Sequence, residues 1–176
     1  MQATPLIPPF TQETAHAKVK RAQDMWNTRN PEMVAKGYTQ DCLWRNRDSF
    51  FSGHDNIIKF LTDKWSKELG YRLRKELFSF TGNKIAVNFW YEFHDEQGQW
   101  CRGKVQSTFN VTSDIELSNL TIPLSSRTAY GLEHWTFNEE GIMSHRQMSA
   151  NNIPIADEQR WFKDVENVND AQIVDE

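Results

Sequence analysis

Residues 44–47, Trp-Arg-Asn-Arg, and residues 91–94, Tyr-Glu-Phe-His, carry the side chains best suited to chemistry. Side chains alternate faces along a strand, so Trp44 and Asn46 are expected on one face and Arg45 and Arg47 on the other. A guanidinium keeps its charge when desolvated and grips a carboxylate or phosphate through two parallel hydrogen bonds. The arginine pair is therefore expected either to hold an anionic substrate group or to meet Glu76, Glu92 or Glu133 on adjacent strands or across a dimer interface.

Over residues 84–94 the same alternation groups Ile85, Val87, Phe89, Tyr91 and Phe93, which would cover the helices, and separately Asn88, Trp90, Glu92 and His94. Glu92 and His94 then share a face. A partly buried carboxylate orients an imidazole and tunes it toward neutral pH, the pattern of an acid/base couple; the alternative is a polar patch on the dimer side. Tyr91, Glu92 and His94 are thus the catalytic candidates. Trp44, Arg45, Asn46, Arg47, Trp65, Trp135 and Arg146 are the substrate-binding candidates, with Trp65 also readable as core. Asn151 and Asn152 either donate at a rim or turn the chain. Asp63 and Lys64 read as a solvated helix face.

Several chemistries are missing. No Gly-rich phosphate loop, G-x-S-x-G elbow or metal-spaced His or Cys pair occurs, and the five histidines are scattered. Cofactor-free acid/base work is what remains for an enzyme. A formal charge of -4 and a pI near 5.8 give no basic field for nucleic acid. Cys42 and Cys101 make neither a disulfide framework nor a zinc site. The start lacks a basic region followed by an apolar stretch, and no apolar run approaches a membrane span. The expectation is a cytoplasmic protein without nucleic-acid or membrane partners. Seven Trp and eleven Phe suit a concave apolar site for a small organic molecule.

The elements that must position these residues follow from periodicity. Thr11 caps a helix to about Arg29 that buries Ala15, Val19, Ala22 and Trp26. Asn30-Pro31-Glu32 opens a short helix. Residues 42–51 alternate like a strand, and a third helix runs from about His54 to Leu69, where Gly70 suits a left-handed cap. Tyr71–Phe80, Lys84–His94, Gly131–Phe137 and Ile142–Ala150 read as strands. Helices first and an antiparallel meander after them give an α+β domain, with helices on one face of a curved sheet. Residues 163–176 read as a frayed acidic tail.

The stretches PPFTQETAHAKVKRAQDMWNTRNPEMVAKGYTQD, WRNRDSFFSG, FLTDKWSKELGYRLRKELF, KIAVNFWYEFHDEQGQW and YGLEHWTFNEEGIM, followed by SANNIPI, occur in that order over residues 8–157. Jointly they resemble a SnoaL-like family of unknown function within the nuclear transport factor 2-like superfamily. The resemblance implies a cone-shaped barrel with a pocket between helices and sheet, and a homodimer through the outer face. It also implies three functional options: a cofactor-free isomerase, dehydratase or cyclase, a non-catalytic binder, or a protein-interaction module. One departure stands out. Residues 103–129, rich in Ser and Thr, are extra to the family pattern, and Gly-Lys-Val at their start suits an intron retained in frame.

Overall fold

The computed structural model describes residues 5–104 and 131–173. Most of the extra segment therefore lies outside the described residues. Helix α1 (Gln12–Asn27) starts where Thr11 and Thr14 satisfy one another's backbone N–H groups in a capping box. Helix α2 (Pro31–Ala35) begins at Asn30, whose side chain accepts from Met33 N at 3.0 Å. Helix α3 (His54–Lys67) buries Ile57 and Leu61, and Gly70 after it has φ 62°.

Eight strands are described: β1 (Tyr38–Asn46), β2 (Ser49–Ser52), β3 (Leu69–Thr81), β4 (Lys84–His94), β5 (Trp100–Lys104), β6 (Gly131–Phe137), β7 (Met143–Ser149) and β8 (Asn151–Pro154). They form one open sheet in the order β2-β1-β7-β6-β4-β5-β8, with β3 also pairing β4. It is mixed rather than wholly antiparallel, because β1 runs parallel to β7. The expected single strand over 42–51 is a hairpin instead: Arg47 takes φ 60° and turns the chain, so that Asn46 pairs with Ser49.

Strands β5 and β6 run end to end along the same two neighbours. On one side Arg102 faces Glu92 and Gly131 faces Phe89. On the other, Lys104 faces Asn151 and Leu132 faces Ser149. Both ladders stay in register if Lys104 is followed directly by Gly131. Gly103 and Lys104, expected at the head of the extra segment, belong to the sheet.

The helices cover one face of the sheet, and the main core lies between them. The outer face of β3 and β4 carries the C-terminal residues. Trp90, Phe162, Val168 and Ala171 form a second apolar cluster there, with Arg72 donating to Glu166 O at 2.8 Å and Arg74 to Ala171 O at 2.9 Å. The expectation of a frayed tail fails over 163–173. Its few apolar side chains are spaced to fill the outer sheet face, and guanidinium groups of β3 bind its carbonyls.

Candidate functional site

Alternation along β3 places Tyr71, Leu73, Lys75 and Leu77 on the helix-covered face, and along β6 it places Glu133, Trp135 and Phe137 there. One lysine and one glutamate thus interrupt two apolar rows on strands that flank β4. They meet in the core: Lys75 Nζ donates to Glu133 Oε2 at 2.8 Å, Trp135 Nε1 to the same oxygen at 2.6 Å, and Arg146 Nη2 to Glu133 Oε1. Arg146 also donates to Asn46 Oδ1 at 3.2 Å. Aromatic rings surround the two cations. Lys75 Nζ lies 5.5 Å from Trp26, 5.0 Å from Phe89 and 5.3 Å from Trp135, while the Arg146 guanidinium lies 4.8 Å from Trp26 and 4.5 Å from Trp44.

Charges this deep are tolerated because they are paired and hydrogen-bonded. Burial alone would raise the Glu133 carboxyl, but Arg146 and then Lys75 overcome it and hold the group at about 2. Burial outweighs the pull of Glu133 on Lys75, whose ammonium is lowered to about 8.

At one end of this layer the turn at Arg47 directs its side chain back over the sheet. Arg47 Nη2 donates to Tyr91 Oη at 2.7 Å and to Asn152 Oδ1 at 2.5 Å, and Tyr91 Oη donates to the same amide oxygen at 2.5 Å. Lys64, ion-paired with Glu68, lies 5.0 Å from both the Tyr71 and Tyr91 rings. Lys64 is mostly buried rather than solvated, because it extends the α3 stripe of Ile57 and Leu61 by one turn. Burial lowers its ammonium and raises the Tyr91 phenol, which stays protonated as a donor.

At the other end, α1, Gly37–Tyr38, β6–β7 and residues Pro5–Ile7 line a half-open cavity of ≈ 830 Å³. Trp26, Tyr38, Trp135 and Phe137 supply aromatic wall, and Met25 and Met143 line it beside them. Trp26 and Trp135 thus separate the cavity from the buried charges. Lys18 donates to Leu6 O at 3.2 Å and to Gly141 O, tying the N-terminal strap to the β6–β7 turn. Burial and then Arg21 lower its ammonium to about 8.

Seven of the ten candidate residues come together on the helix-covered face: Trp44, Asn46, Arg47, Trp65, Tyr91, Trp135 and Arg146. Three do not. Arg45 is exposed on the outer face, 5.7 Å from the Phe50 ring, because Arg47 leaves the strand and the pair never shares a face. Among the described residues neither arginine meets Glu76, Glu92 or Glu133. Glu92 also points outward, where it accepts from Trp161 N at 3.0 Å and from Arg160 Nε at 3.3 Å. His94 contacts Asp95 O and the Trp100 ring, so the expected couple with Glu92 is not formed. Asn152 is on β8, not in a turn.

Lys75 and Glu133 were detectable as opposite charges breaking apolar alternation. The roles of Lys64, Lys18 and Arg160 carried no comparable signal, since each depends on what packs above it.

Many solved structures share the fold, and three of them illustrate the likeness. The first, from work on the "epoxide hydrolase/cyclase-like enzyme SalBIII in pyran ring formation in polyether salinomycin", is 9% identical with a TM-score of 0.58, covering 80% of this chain and 92% of that one. An NTF2-like protein of unknown function from Exiguobacterium sp. 255-15 is 10% identical with a TM-score of 0.55, covering 76% and 98%. Another from Burkholderia pseudomallei K96243 is 14% identical with a TM-score of 0.57, covering 78% and 90%. No curated protein matches the chain. Residues 8–122 and 123–163 match the model of a family described as "Protein of unknown function (DUF1348)". With helices on one face of an open mixed sheet and that match over most of its length, the chain belongs to this family and has the nuclear transport factor 2-like fold.

Proposed function

We propose that this chain binds a small organic molecule in the cavity between α1 and β6–β7. The observation that carries the reading is the cavity itself, ≈ 830 Å³ with four aromatic rings in its wall and a few charged groups around it. Its size falls in the range of small-molecule sites, and mostly apolar lining with sparse polar groups is their usual chemistry. Non-catalytic binding is the reading the geometry favours, because Glu92 and His94 turn away from the helix-covered face. Cofactor-free isomerisation, dehydration or cyclisation is the second reading. Lys18 favours it, since an amine lowered to about 8 exchanges protons near neutral pH.

The test is a thermal-shift screen of aromatic and alicyclic compounds on the full chain and on Ala17→Trp. Ala17 is exposed and lines the cavity, so an indole there intrudes on it without disturbing the core. A ligand at 100 times its Kd adds about 2.7 kcal/mol to stability. Compounds that raise Tm in the native chain should raise it less in Ala17→Trp; equal shifts in both would exclude the cavity as the site.

A homodimer through the outer face is part of the same reading. The C-terminal residues cover part of β3 and β4, which leaves the outer face of β1, β2, β6 and β7; on β1 and β2 Leu43 is 52% exposed and Phe50 72% exposed. No helix among the described residues is long and apolar enough to cross a membrane.

A further inference from the structure

We infer that Arg47, Tyr91 and Asn152 form a second site, for a small organic carboxylate, in which the Asn152 amide oxygen occupies the place of a ligand oxygen. None of the three lines the cavity, so the site stands apart from the function proposed above.

The hydrogen-bond pattern carries the inference. Two strong donors, a guanidinium N–H and a phenol O–H, converge on one neutral acceptor, Asn152 Oδ1. Tyr91 Oη itself accepts from Arg47 Nη2 at 2.7 Å, which leaves its proton aimed at that acceptor. Arg47 Nε is buried and has no hydrogen-bond partner among the described residues. Nε and Nη2 form one edge of the guanidinium, the edge that meets a carboxylate through two parallel N–H···O bonds. Here Nη2 is engaged and Nε is not. A carboxylate would engage both Nε and Nη2 and take the Tyr91 proton on one of its oxygens.

Charge and shape agree. Lys64 lies 5.0 Å from the Tyr91 ring and adds positive potential, offset in part by Glu68. Asn152 is exposed on β8, where it pairs with Gly103 next to the last pair of the β5–β8 ladder, so its side chain can leave without exposing core. The Tyr91 ring is fixed from below by Gly103. A Cβ at that glycine would fall 2.0 Å from Tyr91 Cε1. The phenol is therefore held in place whether or not Asn152 is present, as a preformed oxygen site requires.

The experiment is calorimetric titration of sodium benzoate into the full chain at neutral pH, with four variants. Asn152→Ala removes the competing oxygen and should bind benzoate about tenfold more tightly than the native chain. Arg47→Asn, which tolerates the left-handed turn, should weaken binding about tenfold or more. Asn152→Asp puts a carboxylate into the site, so it should raise Tm and abolish benzoate binding. Ala17→Trp should leave the affinity unchanged, which separates this site from the cavity. Equal affinity in the native chain, Asn152→Ala and Arg47→Asn would overturn the assignment. So would absence of binding in both the native chain and Asn152→Ala at millimolar benzoate, or a lowered Tm in Asn152→Asp.

Discussion

Gly103 lies directly against Tyr91, so close that a single added carbon would stand 2.0 Å from the ring. The contact locks β5 to β4 at the point where Arg102 faces Glu92 and Cys101 faces Phe93. A methyl group here must displace a fully buried aromatic side chain or open the ladder. Overpacking of this kind costs about 1–3 kcal/mol. Urea denaturation of Gly103→Ala should show a loss in that range, whereas native-like stability would mean that the two strands are not so tightly apposed.

The same ladder predicts how the extra segment can be removed. Deleting residues 105–130 joins Lys104 to Gly131 and keeps both neighbouring registers continuous. Deleting 103–129, the boundaries expected from the family pattern, shifts β6 by one position and loses Gly103. A one-residue slip sends inward side chains outward and takes Glu133 and Trp135 from the core. The first deletion should unfold cooperatively with stability equal to or above that of the full chain; the second should be strongly destabilised. Equal stability of the two would contradict the register.

Buried charge should dominate the pH dependence. Glu133 is held at about 2 in the folded chain, below its ordinary value of 4.5, so its contribution is present above pH 4.5 and lost as pH falls toward 2. Lys75 has the opposite character. Its folded ammonium is lowered to about 8 from 10.5, so the unfolded chain binds more protons between these values and stability gains from this group as pH rises through that window. Glu133→Gln leaves Lys75 and Arg146 without their carboxylate and should cost about 3–5 kcal/mol at pH 7. Denaturation at acid, neutral and mildly alkaline pH checks all three, and a Glu133→Gln variant as stable as the native chain would remove the ion layer from the account.

Association through the outer face can be tested separately. Light scattering should give twice the chain mass for the native protein and the single mass for the pair Leu43→Asp and Phe50→Asp, since charge placed on an exposed apolar patch opposes its burial. A native chain that is monomeric throughout would end the dimer reading.

Local signals made much of the fold legible. The Thr11 and Asn30 caps, the Ala15-Val19-Trp26 face and the bounds of β4 depend on near neighbours in sequence, and each stands where periodicity and capping place it. The site was legible in part, because alternation puts Tyr91 in the apolar row that covers the helices and groups Trp44 with Asn46 whatever packs around them. Arg47 escaped it, since a left-handed residue between two short strands resets the alternation. Glu92 escaped for another reason. Its partners, Arg160 and Trp161, lie about 70 residues away, beyond the last strand that periodicity marks. The pairing of β5 with β8 is likewise non-local, and a two-Asn sequence carries no strand signal of its own.

The most direct test of ligand binding at α1 and β6–β7 uses the tryptophan indole N–H resonances in a ¹H–¹⁵N spectrum. Trp26 and Trp135 line the cavity, whereas Trp100 and Trp161 do not. A compound that raises Tm should shift the Trp26 and Trp135 indole signals and leave Trp100 and Trp161 in place. Shifts confined to Trp100 and Trp161, or spread evenly over all indoles, would contradict a ligand held in that cavity.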